Sequence, residues 1–185
     1  MEKHEKKDER KTKERRKNIF FCIKIISLIC LIVLALPVGL VLHEGSHMLT
    51  LCLCNGTFDG ISFGTQSYVG GYVDPKYISL VSMSSIFIPL IVSVILSMIR
   101  SIHLLSFNLG LTIQTVVNIT FGLFATAFVH NDLVRKTYDV ALAYDCSRFP
   151  SIVVVTSVLC LFIQLFFVCW QIKRCNKKID NYLFK

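Results

Sequence analysis

Leu28-Ile29-Cys30-Leu31-Ile32-Val33-Leu34-Ala35-Leu36-Pro37-Val38-Gly39-Leu40-Val41-Leu42-His43-Glu44-Gly45-Ser46-His47-Met48-Leu49-Thr50-Leu51 is an apolar run with three ionisable side chains near its end. Such a run reads as a membrane-spanning helix, because about 20 apolar residues cross a hydrocarbon core of about 30 Å. Inside it, His43-Glu44-Gly45-Ser46-His47 is a complete His-Glu-x-x-His pattern. On a helix His43 and His47 lie one turn apart on one face, so both imidazoles reach a single metal ion while Glu44 sits beside it. Ionisable groups at membrane depth are costly unless they act together, which favours a metal site over a chance match or a structural histidine pair.

Working outward, 54% of the 185 residues are hydrophobic and the mean hydropathy is +0.61, the composition of a membrane protein with no separate soluble domain. Residues 1–18 carry nine Lys/Arg and no apolar run, so they are expected to form a disordered basic cytoplasmic tail. Residues 19–172 form the polytopic domain, and 173–185 a second basic cytoplasmic tail. The first apolar run is too long for a signal peptide and lacks a prompt cleavage site, so it reads as an anchor.

Four apolar segments stand out, at 19–54, 78–99, 104–129 and 152–172. Pro37 and Gly39 interrupt the first, and a turn at Pro37-Val38-Gly39 would make five spans. The charges favour four. With four spans, sixteen of the twenty Lys/Arg fall on or near one side, as the positive-inside rule prefers, and both termini are cytoplasmic. The expected fold is therefore an all-α membrane protein of about four transmembrane helices. Residues 55–77, rich in glycine and with patches such as Ile61-Ser62-Phe63, are expected to form a re-entrant β-hairpin or loop after the first helix. This topology puts residues 130–149 on the same, outer side as the end of the first span. His43 lies about 38 Å along a straight helix from Asn18, near the outer boundary.

A catalytic zinc normally has three protein ligands and an open position, with imidazole nitrogens at about 2.0–2.1 Å. The candidates for the third ligand are Asp59 and Asp74 in the first outer loop, and His130, Asp132, Asp139 and Asp145 in the second. Asp139 opens a short apolar stretch and is expected at a helix N-terminus, where an aspartate is locally favoured. In the third span, Asn108, Gln114, Thr115, Asn118 and Thr120 are polar. Gln114 and Asn118 share a face, and these residues either line a wet approach to the metal or hydrogen-bond between helices, the second being the default. Arg135 and Lys136 read as solvated loop charges, His103 as interfacial. The eight cysteines spell no metal framework, although a disulfide among Cys52, Cys54 and Cys146 is open.

Leu42-His43-Glu44-Gly45-Ser46-His47, then Asn55-Gly56, then Asp139-Val140-Ala141-Leu142, resembles the site-2 protease family of intramembrane zinc metalloproteases, in particular its small archaeal-type members. The resemblance runs from about residue 31 to 150, and the zinc motif is its specific part. It implies His43 and His47 as ligands, Glu44 as general base and Asp139 as third ligand. Asp139 is followed by Val140 where the family commonly has Gly, and no Asn-x-x-Pro motif precedes it. Asp132, next to Asn131, is the alternative ligand.

The expected function is that of a zinc endopeptidase in the lipid bilayer, acting on a membrane-protein or peptide substrate, with Zn2+ as cofactor and no nucleic-acid partner. Glu44 would take a proton from water and pass it to the leaving amine. The rival classes are a metal-ion transporter or sensor and a non-catalytic metal-binding relative. The transporter lacks a second His- or Glu-rich span. A structural zinc would favour a fourth protein ligand over the carboxylate of Glu44.

Overall fold

Apolar stretches of this length have only one way to satisfy their backbone in lipid, which is to become helices. A computed structural model describes the backbone of residues 2–62 and 68–184, and of these the side chains of 2–17, 62, 68, 69 and 184 lie outside the described set. Met1, Phe63, Gly64 and Lys185, which enter the expectations above, are outside the described residues.

The element order is α1 (Glu2–Leu53), β1 (Thr57–Ser62), β2 (Tyr68–Tyr72), a short 3-10 turn at Pro75–Tyr77, α2 (Ile78–Met98), α3 (Ile102–Phe128), α4 (Asp132–Arg135), α5 (Asp139–Cys146) and α6 (Pro150–Phe184). Among the described residues, four helices are long and apolar enough to cross a membrane, within α1, α2, α3 and α6. The chain is thus an all-α membrane protein with a small hairpin after its first span.

Pro37 does not turn the chain. It lies inside the continuous helix α1, exposed on its outer face, while Ala35 and Gly39 on either side are buried. A proline costs one backbone hydrogen bond, but a reversal at the same place would cost several in lipid. α1 ends instead at Asn55, whose positive φ of 57° is the left-handed cap that asparagine tolerates, with Gly56 N–H donating to the Leu51 carbonyl at 2.9 Å.

α1 begins at Glu2 and α6 runs through Phe184, so the described parts of both basic segments are helical. The physical reason is that nucleation, the costly step, is already supplied by each span, and Lys, Arg and Glu are good propagators.

Small residues bring the helices together. At Gly110 an added Cβ would lie 2.3 Å from the Ile32 carbonyl oxygen, so α3 meets α1 backbone to backbone. At Gly122 it would lie 2.7 Å from the Val140 Cβ, so α5 sits directly on α3. α2 occupies the middle with a buried serine face, Ser82, Ser84, Ser85, Ser93 and Ser97. Ser84 and Ser97 satisfy their hydroxyls on carbonyls of their own helix, at 2.6 and 2.8 Å. The main core gathers Met83, Ile86 and Leu90 of α2, Ile119 of α3, Val140 and Ala143 of α5, and Val153 and Cys160 of α6.

α5 is therefore wedged among α2, α3 and α6, with Val140, Ala141 and Ala143 almost fully buried. That wedge fixes its first residue, Asp139, against the bundle. β1 and β2 pair antiparallel, Thr57 opposite Tyr72 and Ile61 opposite Val69, with an irregularity between Phe58 and Gly60.

Candidate metal centre

His43 and His47 project from one turn of α1 with ring centroids 5.0 Å apart and planes near perpendicular. Asp139, the first residue of α5, meets both. Its Oδ2 lies 2.9 Å from His43 Nε2 and its Oδ1 lies 3.2 Å from His47 Nε2. The three groups can place one donor atom each within 4.8 Å of one another, and among the described residues they form the one such cluster. Two imidazoles and a carboxylate this close together could hold a metal ion.

The protonation state sharpens the fit. His47 Nδ1 lies 2.8 Å from the Val81 carbonyl oxygen of α2, and a carbonyl only accepts, so Nδ1 carries a hydrogen. In neutral His47 the lone pair is then on Nε2 and faces a carboxylate oxygen. Two acceptors at 3.2 Å call for a proton or a cation between them. This backbone carbonyl orients the imidazole as outer partners of metal ligands commonly do.

Asp139 has a further partner. Ser85 Oγ of α2 lies 2.8 Å from its Oδ2 and 2.8 Å from the Ser82 carbonyl oxygen, so its one hydrogen is shared between these two acceptors. Burial alone would push the Asp139 carboxyl up, but the two imidazoles beside it outweigh that and hold the group well below the usual carboxylate range. It is therefore ionised at neutral pH, as a ligand must be.

Glu44 is 2% exposed, and its Oε2 has no hydrogen-bond partner among the described residues. Such an orphan would be costly in a purely structural role. Glu44, His47 and Asp139 all line one cavity of about 530 Å³. Its other walls include Tyr72 and Val73 at the end of the hairpin, Ile78 and Val81 of α2, and Lys136 and Leu142 beside Asp139. Glu44 thus lines the same cavity as His47 and Asp139, with one carboxylate oxygen, Oε2, buried and unpaired.

The other candidate carboxylates lie outside the cluster. Asp132 is exposed in the first turn of α4, where Asn131 is the cap, accepting from Leu133 N–H at 3.0 Å and Val134 N–H at 3.3 Å. Asp145 pairs with Arg135 through two contacts of 2.6 and 3.0 Å. Asp74 caps the turn at Pro75 and pairs with Lys76 at 2.9 Å. Asp59 and His130 are exposed and outside the cluster. All eight cysteines are free thiols, so no disulfide joins Cys52, Cys54 or Cys146.

Three members of the site carry little signal in the sequence: Ser85, the Val81 carbonyl and the role of Asn118. Asn118 Nδ2 lies 3.1 Å from His43 Nδ1, so the polar face of α3 does hydrogen-bond between helices, and here its partner is a metal-ligand candidate. Its neighbour Thr115 bonds within α3, to the Leu111 carbonyl at 3.1 Å. Asn108 serves a separate cluster with Ser93, Ser97 and Gln171.

No protein-family model, no curated protein and no solved structure matches the chain, so the functional reading rests on this geometry.

Proposed function

We propose that this protein is an intramembrane zinc metalloprotease of the site-2 protease kind, with His43, His47 and Asp139 as ligands and Glu44 as general base. The observation that carries the reading is the pairing of a three-donor cluster with the buried carboxylate of Glu44, whose Oε2 has no hydrogen-bond partner among the described residues, beside a cavity that Glu44, His47 and Asp139 line. A structural metal site would use its carboxylates as ligands or bond them to the protein.

When bound, zinc would supply Lewis acidity to a substrate carbonyl and lower the pKa of a water molecule. The remaining chemistry belongs to the chain. Glu44 takes a proton from that water and delivers it to the nitrogen of the leaving amine. Ser85 and the Val81 carbonyl keep Asp139 and His47 aimed at one point. The apolar walls of the cavity, Ile78, Val81 and Leu142 among them, accept aliphatic side chains of an extended peptide and limit the water around the reacting bond. Substrates are proposed to be membrane-associated polypeptides, since the cavity sits at one end of the membrane-crossing bundle.

Both termini are proposed to be cytoplasmic, which leaves the metal end of the bundle toward the other face. Labelling of single introduced cysteines, in a background without the native ones, should find residues near both termini reactive from the cytoplasmic side. Reaction from opposite sides would reject that arrangement.

The chemical test is Glu44→Gln, which keeps the shape and removes the base. The purified variant should hold zinc as the parent does while peptide hydrolysis falls by roughly 10²–10⁴. Hydrolysis at the parent rate would end the protease reading.

A further inference from the structure

The two histidines on α1 are oriented by different kinds of partner. His47 Nδ1 meets a backbone carbonyl, Val81 O, which fixes one tautomer. His43 Nδ1 meets the side-chain amide of Asn118, which has a donor and an acceptor on the same carbon and can present either by turning over.

The distances around His43 define two self-consistent arrangements. With the amide nitrogen of Asn118 toward Nδ1 at 3.1 Å, Asn118 donates to Nδ1, and Nε2–H donates to Asp139 Oδ2 at 2.9 Å. In that arrangement His43 has no lone pair to give a metal. Ligation through Nε2 moves the ring hydrogen to Nδ1, which then needs an acceptor. A half-turn of the amide puts Oδ1 in the place of Nδ2 and supplies one. A backbone carbonyl, a backbone N–H or a carboxylate could serve only one of the two arrangements.

Resting on the metal-site reading above, we infer that Asn118 is a positioning residue for His43, its amide turning over as metal enters so that Nδ1–H donates to Oδ1 and Nε2 is free to ligate. Asn118 reaches His43 from α3, while His47 is oriented from α2, so the ligand pair is clamped from both sides. Outer partners of metal-ligating histidines are typically worth 10–100-fold in metal affinity, which sets the size of the expected effect.

The test uses the full-length protein in lipid nanodiscs, stripped of metal, with zinc affinity read by competition against a fluorescent chelator. Asn118→Leu, close in volume and well suited to lipid, should weaken zinc binding by roughly 10–100-fold. Asn118→Asp, a permanent acceptor, should bind zinc at least as tightly as the parent. A packing role for Asn118 predicts the reverse order, because leucine is harmless inside a membrane bundle and an added carboxylate is costly there. The d–d spectrum of the cobalt-loaded protein should shift in Asn118→Leu and be restored in Asn118→Asp.

Zinc affinity of Asn118→Leu within about threefold of the parent, or of Asn118→Asp below that of Asn118→Leu, overturns the inference. If Asn118→Leu fails to fold, the comparison of Asn118→Asp with the parent decides: equal or tighter binding supports the role, and tenfold weaker binding rejects it. The protease reading fails separately. A parent that binds zinc in the expected variant order yet hydrolyses nothing removes the protease and keeps Asn118, whereas active protein indifferent to Asn118→Leu removes Asn118 alone. A parent without measurable zinc affinity removes both.

Discussion

Two of the buried polar clusters among the described residues differ in what they leave unpaired. Toward the ends bearing the chain termini, Asn108 Nδ2 lies 2.9 Å from Gln171 Oε1 and 3.0 Å from Ser97 Oγ, while Gln171 Nε2 donates to the Leu96 and Ile99 carbonyls at 2.9 and 3.3 Å. These groups are neutral, and they tie α2, α3 and α6 together where α2 ends. Nearby, Arg100 and Lys178 extend the fastening, Arg100 Nε donating to the Arg174 carbonyl and Lys178 Nζ to the Arg100 carbonyl, each at 2.8 Å. The atoms left over there, Asn108 Oδ1 and Ser93 Oγ, are neutral as well. At the other end, three ionisable groups converge and a fourth, Glu44, which lines a cavity there, is left with one buried carboxylate oxygen unpaired. Polarity inside a membrane bundle is thus no mark of chemistry by itself. What separates the two clusters is ionisable donors that face one another and a buried carboxylate oxygen left unpaired beside them.

The largest expected effect breaks the metal end alone. Asp139→Ala removes one of three donors and leaves two histidines without their shared acceptor, so zinc affinity should drop by more than the roughly 10–100-fold typical of outer partners. Asp132→Ala, on exposed α4, should leave zinc stoichiometry unchanged. Full zinc retention in Asp139→Ala together with loss in Asp132→Ala would move the ligand role to Asp132.

A smaller effect on the same cluster is expected from Ser85→Ala. It removes the 2.8 Å bond to Asp139 Oδ2 but not the carboxylate itself, so zinc should bind on the order of tenfold more weakly in chelator competition. Unchanged affinity would mean that α5 alone holds Asp139 in place.

The smallest effect sharpens the contrast from the opposite side. Asn108→Leu should lower stability in lipid or detergent by about 0.6–2 kcal/mol, the range for interhelical side-chain hydrogen bonds, with zinc affinity unmoved. A marked loss of zinc in Asn108→Leu would show that the two clusters are coupled.

Much of this contrast is legible in the sequence, and for identifiable reasons. His43, Glu44 and His47 are one local pattern on one helix, so their geometry follows from helical spacing alone. The four spans follow from length and apolar content. Asp139 is brought to the site from nearly a hundred residues away, and its assignment over Asp132 comes from resemblance to a family motif; the packing that enforces it, Val140 against Gly122, leaves no local pattern to read. Ser85 lies in a serine-rich face whose members mostly bond their own helix, so nothing in the string of serines distinguishes the one that reaches Asp139. That α1 begins at Glu2 and α6 runs through Phe184 depends on the helix each basic segment continues, which composition alone does not show.

X-ray absorption at the zinc edge of the loaded, full-length protein tests the central claim most directly, because it reads the donor atoms themselves. Two imidazole nitrogens and a carboxylate oxygen at about 2.0–2.2 Å are predicted, with the oxygen contribution lost or replaced in Asp139→Ala. Sulfur scattering at about 2.3 Å would place the metal on cysteine, and a spectrum without imidazole would remove it from His43 and His47; either result contradicts the account.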